Sequence, residues 1–296
     1  MQKTPKFFVA LCVLPALTLT LMFMLVPMVS AVWMSFTDST ALSVGFGSKF
    51  IGLDNYRYLF GDKSFLQAFA NTGKLLLIVP AVTIAISTFL AFVLTQSRIR
   101  EKAFYRTVYF FPSILSLTVV AILWSFVFNS TRGMLNHFLG ILGLEDLQRA
   151  WLGESATALW CIAAALVWQA SGYYMVMLVA SIDSIPRDVY EAADIDGASA
   201  PQKLFRITIP LLKNAIGVTY VLALSGTINL SFTLSNVMTG GGPNGASSVL
   251  LQYMYRQGMR NANFGYAMSI ALTTLALAVL LAVVTRKFTG NGRALA

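Results

Sequence analysis

Six long apolar runs without a single acidic residue constrain this 296-residue chain more than any other feature of its sequence. A helix needs about 20 residues to cross the roughly 30 Å of hydrocarbon in a bilayer, and every run reaches that length. Inside lipid the backbone must satisfy its own hydrogen bonds, which an α-helix does. We therefore predict an all-α, polytopic integral membrane protein with six transmembrane helices, near residues 7–33, 71–95, 107–128, 156–180, 215–237 and 266–285.

The first apolar run follows Lys3 and Lys6, as the apolar core of a signal peptide would. Its apolar stretch is about 27 residues long, however, whereas the core of a signal peptide has about 7–15. We interpret the run as a retained span that bends at Pro15 and Pro27. Because the sequence has no linker, low-complexity tract or internal repeat, residues 1–296 are expected to form a single domain.

The charges of the chain are sparse and basic: 11% of the residues are charged, and the net charge is +9. Soluble domains are about 25% charged. The basic residues are strung between the apolar runs, so membrane topology explains them better than nucleic-acid binding does, and we expect no nucleic-acid partner. With both termini inside, the inner segments hold 13 basic residues and the outer loops seven. This asymmetry places both termini in the cytoplasm.

Residues that could carry out chemistry are few. Cys12 and Cys161 lie in separate apolar runs and are interpreted as packing residues, while His137 has no Cys or His partner at metal-ligand spacing. Gly73-Lys74 lacks the flanking residues of a phosphate-binding loop. We therefore expect no catalytic residue and no metal site, and any pumping must draw its energy from another chain.

Two classes of protein remain as alternatives to a transporter that is driven by another chain. An ion-coupled secondary carrier usually keeps an acidic residue within the bilayer, but all twelve carboxylates here lie outside the six spans. Backbone carbonyl groups can also bind sodium, so this class stays open. A membrane-embedded enzyme would turn over its substrate as a purified single chain, whereas an ATP-driven permease needs other subunits.

A polar segment at residues 183–212 separates the fourth span from the fifth and holds five acidic and three basic residues. It cannot lie in hydrocarbon, so it predicts a helix–turn–helix at the cytoplasmic surface. Ser184 is predicted to cap the first helix, with Pro186 in its first turn and Gly197 as its end. Ser199 opens an S-x-x-Q capping box for the second helix, and Pro210 is predicted to close it.

The same segment carries a motif. Glu191-Ala192-Ala193 is followed after three residues by Gly197, then by Ile207 and, at Ile209-Pro210, by Ile where the motif has Leu. This pattern resembles the EAA-x3-G-x9-I-x-L-P loop of permease subunits in binding-protein-dependent ABC importers. The FIGLDNY, FYRTVYFFP and TGGGP runs at 50–56, 104–112 and 239–243 resemble the maltose and glycerol-phosphate permeases of the carbohydrate branch. The TGGGP run is typical of the first of their two permeases, although the large external insertion of the maltose permease is missing.

The resemblance implies a set of partners. The chain would pair with a second homologous permease in the bacterial cytoplasmic membrane, and two ATPase subunits would bind ATP and Mg²⁺, with no cofactor bound by this chain. An extracytoplasmic binding protein would deliver a sugar, an oligosaccharide or a glycerol phosphoester. The FIGLDNY run is expected to form a short helix in the first outer loop.

The loop at 184–212 is then expected to couple the permease to the ATPases. Small alanines allow close approach, Gly197 allows the backbone to turn, and Glu191 is suited to pair with a basic group. Phe205, Ile207 and Ile209 are expected to anchor the second helix to the membrane domain. The alternative is an ordinary pair of interfacial helices. The predicted coupling residues are Tyr190, Glu191, Ala192, Ala193, Asp196, Gly197, Ala198, Phe205 and Pro210.

A substrate path requires polar side chains that face inward. In the fifth span Ser225, Asn229, Thr233 and Asn236 recur on one helical face, and in the fourth span Gln169 and Tyr173 are four residues apart. Amides, hydroxyls and aromatic rings are suited to bind sugars. The alternative is that Ser and Thr merely hold helices together. The predicted substrate-binding residues are Trp168, Gln169, Tyr173, Ser225, Asn229 and Thr233.

Gly240, Gly241, Gly242 and Pro243 form a predicted external turn after the fifth span. We interpret this turn as a contact for the binding protein. From composition alone, a plain connecting loop explains it equally well.

Overall fold

The computed structural model describes residues 6–43, 47–96 and 99–289, and this part of the chain consists of helices and the turns and loops that connect them, with no β-strand. The predicted all-α class is confirmed. Short π-helical segments lie at Leu21–Leu25, Lys203–Thr208 and Arg256–Arg260. In chain order the α-helices are α1 (Lys6–Thr20), α2 (Val26–Met34), α3 (Asp54–Gly61), α4 (Lys63–Gln96), α5 (Lys102–Ile114), α6 (Leu117–Val127), α7 (Met134–Ile141), α8 (Ala158–Asp183), α9 (Arg187–Ile195), α10 (Ala200–Gln202), α11 (Ile209–Leu211), α12 (Lys213–Met238), α13 (Leu250–Tyr255) and α14 (Phe264–Thr289).

Five helical stretches in the described part of the chain are long and apolar enough to cross a membrane, and each overlaps a predicted span. A sixth is present if α5 and α6 are counted together. In the first stretch, the π-helical segment lies between the two prolines at which we predicted a bend. The five stretches are Leu11–Met34, Lys63–Gln96, Ala158–Asp183, Lys213–Met238 and Phe264–Thr285.

The third span, predicted as one continuous helix over 107–128, is instead two helices that meet at 98°. Pro112 lies in the last turn of α5, where its ring removes a backbone donor and weakens the helix. One residue later, the Ser113 hydroxyl donates a 2.8 Å hydrogen bond to the carbonyl oxygen of Gln169 on α8. The break leaves no mark in the hydropathy, because Leu115 and Ser116, at the break, carry no charge that would interrupt an apolar run.

The helices α5 and α8 approach each other very closely at Gly172. A Cβ atom at this position would lie 1.8 Å from the carbonyl oxygen of Tyr109. Small residues allow this kind of backbone approach between membrane helices. Gly172 therefore sets the position of α5 against α8.

The chain forms two compact units. One comprises the described residues of Met1–Lys63 and Tyr253–Leu275, and the other those of Ser64–Gln252 and Ala276–Ala296. The expectation of a single domain stays a prediction. No side chain of the span Leu11–Met34, in the first unit, is buried within this chain.

The segment that connects α2 to α3 in the first unit is held by polar contacts around α3. The FIGLDNY run leads into the predicted short helix: its last three residues, from Asp54, begin α3, and its first four precede the helix. The amide of Asn55 donates 2.9 Å hydrogen bonds to the carbonyl oxygens of Ser35 and Thr37, just after α2. These carbonyls would otherwise lack a helical partner. The side chain of Asn55 therefore fixes α3 against the end of α2.

Asp62 joins the end of α3 to the start of α14 in the first unit. Its Oδ2 atom accepts hydrogen bonds from the hydroxyls of Tyr253, at 2.5 Å, and Tyr266, at 2.6 Å. Burial, together with the hydrogen bond and negative charge of Asp62, raises the pKa of Tyr253 to about 12. The phenol is therefore protonated and donates at neutral pH.

The second unit has apolar cores between α4, α8 and α12. A buried cluster near the C-terminal ends of α4 and α8 also contains Leu204 and Leu212 of the segment between α9 and α12. Between the helices, the hydroxyl of Ser87 donates a 2.7 Å hydrogen bond to the carbonyl oxygen of Ser171. Hydroxyl-to-backbone bonds of this kind hold membrane helices together. The loop at 184–212 is thus built directly onto the membrane helices.

Candidate functional site: the 184–212 hairpin and the polar face of α12

The first helix of the 184–212 hairpin starts later than its sequence predicted. Ser184 does not cap α9, because it follows the last residue of α8 and its hydroxyl donates to the carbonyl oxygen of Ser181 at 2.7 Å. The residue at the cap position is Pro186, with extended ψ of 135°, and α9 begins at Arg187. Ser184 caps the C-terminal end of the preceding helix, α8, which continues to Asp183.

The end of α9 is formed by Gly197, as predicted. Its φ of +73° is in the left-handed region, which glycine adopts without strain. The N–H of Ala198 donates to the carbonyl of Ala193 at 2.8 Å, and the N–H of Gly197 donates to that of Asp194 at 3.1 Å. This pair of bonds is a Schellman motif. Apart from the two chain neighbours of Gly197, no heavy atom of the described residues lies within 4 Å of a Cβ placed there, so its φ, not crowding, requires glycine here.

The second helix of the hairpin opens with the predicted capping box. The backbone N–H of Ser199 donates to Oε1 of Gln202 at 2.7 Å. We predicted that Pro210 closes this helix. Pro210 instead lies within α11, and the helix ends one residue later, at Leu211. A proline with helical φ is tolerated in a short final turn, and the π-helical segment Lys203–Thr208 immediately precedes that turn.

The predicted coupling residues divide into exposed and buried groups. Tyr190 and Ala193 are buried, and Ala198 is half-buried. Ile195 was not predicted as a coupling residue but is 87% exposed; its signal in the sequence is a large aliphatic residue near the end of a polar helix, two residues before the glycine. The exposed members are Glu191, Ala192, Asp196, Gly197, Phe205 and Pro210.

The anchoring residues of the second helix differ from those expected. Phe205 is 65% exposed and lines an apolar groove together with Phe89 of α4. Leu204 and Leu212 are the buried residues at the base, and Ile209 packs beside them as predicted. The pattern shifts by one residue because the π-helical turn alters which positions face the membrane helices.

The polar residues of α12 lie on an exposed face of the chain. Ser225, Asn229 and Asn236 are exposed, and Thr233 is half-buried. The amide nitrogen of Asn229 donates to the carbonyl oxygen of Ser225 at 3.1 Å. This bond turns the amide along its own helix and leaves the rest of the face available to another molecule.

The predicted residues of α8 divide between two sides of that helix. Trp168 packs edge to face on Trp124, at 5.7 Å between ring centres, and lines an apolar groove of about 880 Å³ between α4, α5 and α8. Gln169 is half-buried, and its Oε1 atom is buried without a hydrogen-bond partner. Tyr173 is 48% exposed. The unpaired oxygen makes Gln169 better suited than Trp168 to bind a polar ligand.

The helices that carry these two sets of residues pack directly on each other. Tyr174 and Ala170 of α8 line a narrow space with Gly226 and Thr227 of α12. Tyr173 and Asn229 are close in sequence to these packed residues and occupy exposed positions of α8 and α12. The structure therefore brings the fourth and fifth spans together at the level of the predicted substrate residues.

The loop after α12 is more enclosed than its sequence indicated. Gly240 is exposed, but Gly241 is buried and Gly242 and Pro243 are half-buried. The amide of Asn71, on α4, donates to the carbonyl of Gly245 at 3.1 Å. Asn71 was not predicted as a site residue. The sign that could have indicated it is a polar residue on the buried side of an apolar run.

Two comparisons with known proteins agree on one family. The model of the family described as binding-protein-dependent transport system inner membrane component matches residues 83–289. The probable ABC transporter permease protein YurN of Bacillus subtilis is 36% identical over 294 residues, 99% of each chain. The diacetylchitobiose uptake system permease protein NgcF of Streptomyces coelicolor is 30% identical, over 97% of this chain and 84% of the relative.

A solved structure shares the fold. It is that of a bacterial alginate ABC transporter in complex with an alginate pentasaccharide-bound periplasmic protein. One of its chains superposes with a TM-score of 0.82 and 22% identity, over 97% of this chain and 96% of that chain. At this identity the likeness shows the fold alone.

Proposed function

Because this chain belongs to the family of binding-protein-dependent transport system inner membrane components, we propose that it is the permease of an ATP-driven carbohydrate importer. The family confirms the prediction of an importer permease, and the chain is a multi-pass membrane transporter, not an enzyme. In this proposal it pairs with a second homologous permease, and two ATPase subunits bind ATP and Mg²⁺. A binding protein outside the membrane delivers the sugar, and this chain binds no cofactor.

The observation that carries the proposal is the 184–212 hairpin. Its helix α9 exposes Glu191, Ala192 and Ile195, while Leu204 and Leu212 fix its base to the cores of α4 and α8. A small, exposed helix on a rigid base is suited to fit a cleft of another protein and to move with it. Ile195 and Val189 supply exposed apolar contacts on this polar helix, and Glu191 and Asp196 supply charge that can pair with basic residues of an ATPase.

The substrate site of this proposal lies along α8 and α12. The buried, unpaired Oε1 atom of Gln169 and the exposed amide of Asn229 provide hydrogen-bonding groups, and Tyr173 provides an exposed aromatic ring. Sugars present both hydroxyl groups and ring faces, which match this set. NgcF is named for uptake of diacetylchitobiose, and the alginate transporter carries a polysaccharide. The sn-glycerol-3-phosphate transport system permease protein UgpA of Escherichia coli is also a relative, 32% identical over 94% of this chain, so the likenesses support both a carbohydrate and a glycerol phosphoester as candidate substrates.

The proposed topology places both termini in the cytoplasm of a bacterium and the hairpin on the same side. Lys3 and Arg293, two of the basic residues behind this orientation, lie outside the described residues. On the outer side, the exposed Gly240 is the member of the 240–243 turn best placed to meet a binding protein.

The test uses the whole complex, co-purified from its native membrane and reconstituted in vesicles with its binding protein. We expect accumulation of a radiolabelled oligosaccharide to require ATP on the side of the hairpin, with glycerol phosphoesters as the contrasting substrates. Accumulation driven by a proton or sodium gradient without the ATPases would instead make the chain a secondary carrier.

Gly197→Asp tests the hairpin itself. We expect this variant to insert normally and to abolish ATPase association or transport, because it places a side chain and a negative charge on the exposed turn. Gly197→Asn is the matched control, since asparagine has the same size, has no charge and tolerates positive φ. Normal uptake by Gly197→Asp would count against the coupling role.

A further inference from the structure

Tyr190 is the residue before the Glu191-Ala192-Ala193 motif, yet its side chain is turned into the hairpin and away from the exposed surface of α9. Its side chain is only 7% exposed, and its hydroxyl oxygen lies 2.9 Å from Oγ1 of Thr208. Thr208 is fully buried at the end of the π-helical segment Lys203–Thr208. This hydrogen bond therefore joins α9 to the second helix of the hairpin.

The proton positions in this contact follow from the other partner of Thr208. Its hydroxyl oxygen also lies 3.1 Å from the carbonyl oxygen of Lys203, which can only accept. A threonine hydroxyl has one proton, so Thr208 donates it to Lys203 and accepts the proton of Tyr190. The resulting chain runs from the Tyr190 hydroxyl through Thr208 to the backbone of the π-helical segment.

A second contact joins the same two parts of the hairpin. The ammonium group of Lys203 forms an ion pair with the carboxylate of Asp194, on α9. The Lys203 side chain is mostly buried, but the Asp194 side chain is 64% exposed, so solvent screens this pair. The buried Tyr190–Thr208 hydrogen bond is the better-shielded link of the two.

The π-helical segment also contacts the membrane helices. Leu204, inside the segment, belongs to the buried cluster that contains Phe92 of α4 and Leu178 of α8. The segment is followed directly by α11 and then by α12, which carries the polar face. A displacement of α9 that is passed to Thr208 therefore reaches a segment that packs on α4 and α8 and leads into α12.

We propose that Tyr190 is a positioning residue for coupled transport: through Thr208 it holds α9 to the π-helical segment, so that movement of α9 is passed to α12. This inference rests on the proposed function. It assigns Tyr190 to transmission within this chain and leaves the exposed Glu191, Ala192 and Ile195 as the surface that an ATPase would contact. Tyr190→Phe removes the hydroxyl and keeps the buried ring.

The experiment measures ATP hydrolysed per solute imported by the complete complex in vesicles. We expect Tyr190→Phe to raise this ratio roughly fivefold, the lower end of the range for energetic coupling between two sites. Co-purification of the ATPases should stay unchanged, because the docking surface is intact. Tyr105→Phe, on α5, is the matched control and should keep the wild-type ratio.

Thr208→Val supplies the second arm, since it has the same shape and no hydroxyl. We expect it to raise the ratio as Tyr190→Phe does, and we expect the double variant to be no worse than either single one. Additive effects would overturn the inference, because the two hydroxyls would then act separately. Loss of ATPase association in Tyr190→Phe would also overturn it and assign Tyr190 to docking.

The outcomes separate the two proposals. If the wild-type complex imports with ATP and Tyr190→Phe leaves the ATP hydrolysed per solute imported unchanged, this inference alone is overturned. A wild-type complex that imports without ATP would overturn the proposed function and this inference together.

Discussion

The side-chain amide of Asn71, on α4, donates a 3.1 Å hydrogen bond to the carbonyl oxygen of Gly245, in the loop after α12. The same amide nitrogen lies 3.0 Å from the carbonyl oxygen of Ser248. One buried amide therefore ties the second span of the chain to the loop beyond the fifth, 174 and 177 residues away in sequence.

Asn71→Leu is expected to loosen this loop, because it leaves two carbonyl oxygens without their donor. The cost should be about 1–3 kcal/mol of unfolding free energy, measured by denaturation in mixed micelles. The matched control is Gln67→Met, one helical turn earlier, whose exposed amide donates to Asn244 at 3.2 Å. Water can replace that bond, so its loss should cost less. Equal losses for the two variants would contradict this account.

Gly172→Ala is expected to disrupt the packing of α5 on α8. Its Cβ would lie 1.8 Å from the carbonyl oxygen of Tyr109, and backbone cannot give way as a side chain can. We expect a large fall in the thermal stability of the purified complex. Gly73→Ala is the control because, apart from its chain neighbours and the backbone of its own helix, no heavy atom of the described residues lies within 4 Å of a Cβ placed there. Alanine in a helix interior should instead stabilise by about 0.5–1 kcal/mol there. Similar behaviour of the two variants would refute the close approach.

Asn229→Ala tests the polar face of α12. If the amide binds the sugar, its removal should raise the KM for uptake by roughly threefold to tenfold, the value of one neutral hydrogen bond. The stability of the complex should not change, since the residue is exposed. Val218→Ala, an exposed apolar position on the same helix, is the control. An unchanged KM for several oligosaccharides would remove Asn229 from the site.

Tyr253 gives a prediction for alkaline pH. Its pKa is raised from 10.0 to about 12, chiefly by burial and then by Asp62. The unfolded chain therefore loses this proton first, so the stabilising effect is complete below pH 10 and is lost as the pH rises toward 12. We expect the unfolding free energy of the wild type to fall more steeply over this range than that of Tyr253→Phe. Parallel pH profiles would show that Tyr253 does not contribute.

Several local features of the hairpin were predictable from the sequence because short-range geometry decides them. Gly197 ends α9, since only a residue in the left-handed conformation completes the turn. Ser199 and Gln202 form the capping box of the second helix within four residues. The spans follow from hydropathy for the same reason: burial in lipid depends on the composition of a run, whatever its neighbours. The start of α9 was predicted wrongly because Ser184 can serve either of two helices, and only the observed length of α8 selects one.

The roles of individual side chains could not be derived in this way. Sequence favoured Tyr190 and Phe205 equally as coupling residues, but one is buried against Thr208 and the other is mostly exposed. The difference in their burial depends on which side chains of the π-helical segment face inward. This in turn is determined by how the second helix packs on α4 and α8.

By itself, the sequence determined the class of the protein, the positions of its spans and the turn of its hairpin. These depend on the apolar content of a run and on backbone conformations that one or two residues impose. Only the tertiary structure decided that the third span breaks after Pro112, that Asn71 holds a distant loop and that Tyr190 faces inward. Each of these rests on a hydrogen bond or a close contact between residues far apart in the chain, and such partners leave no periodic signal in a single sequence.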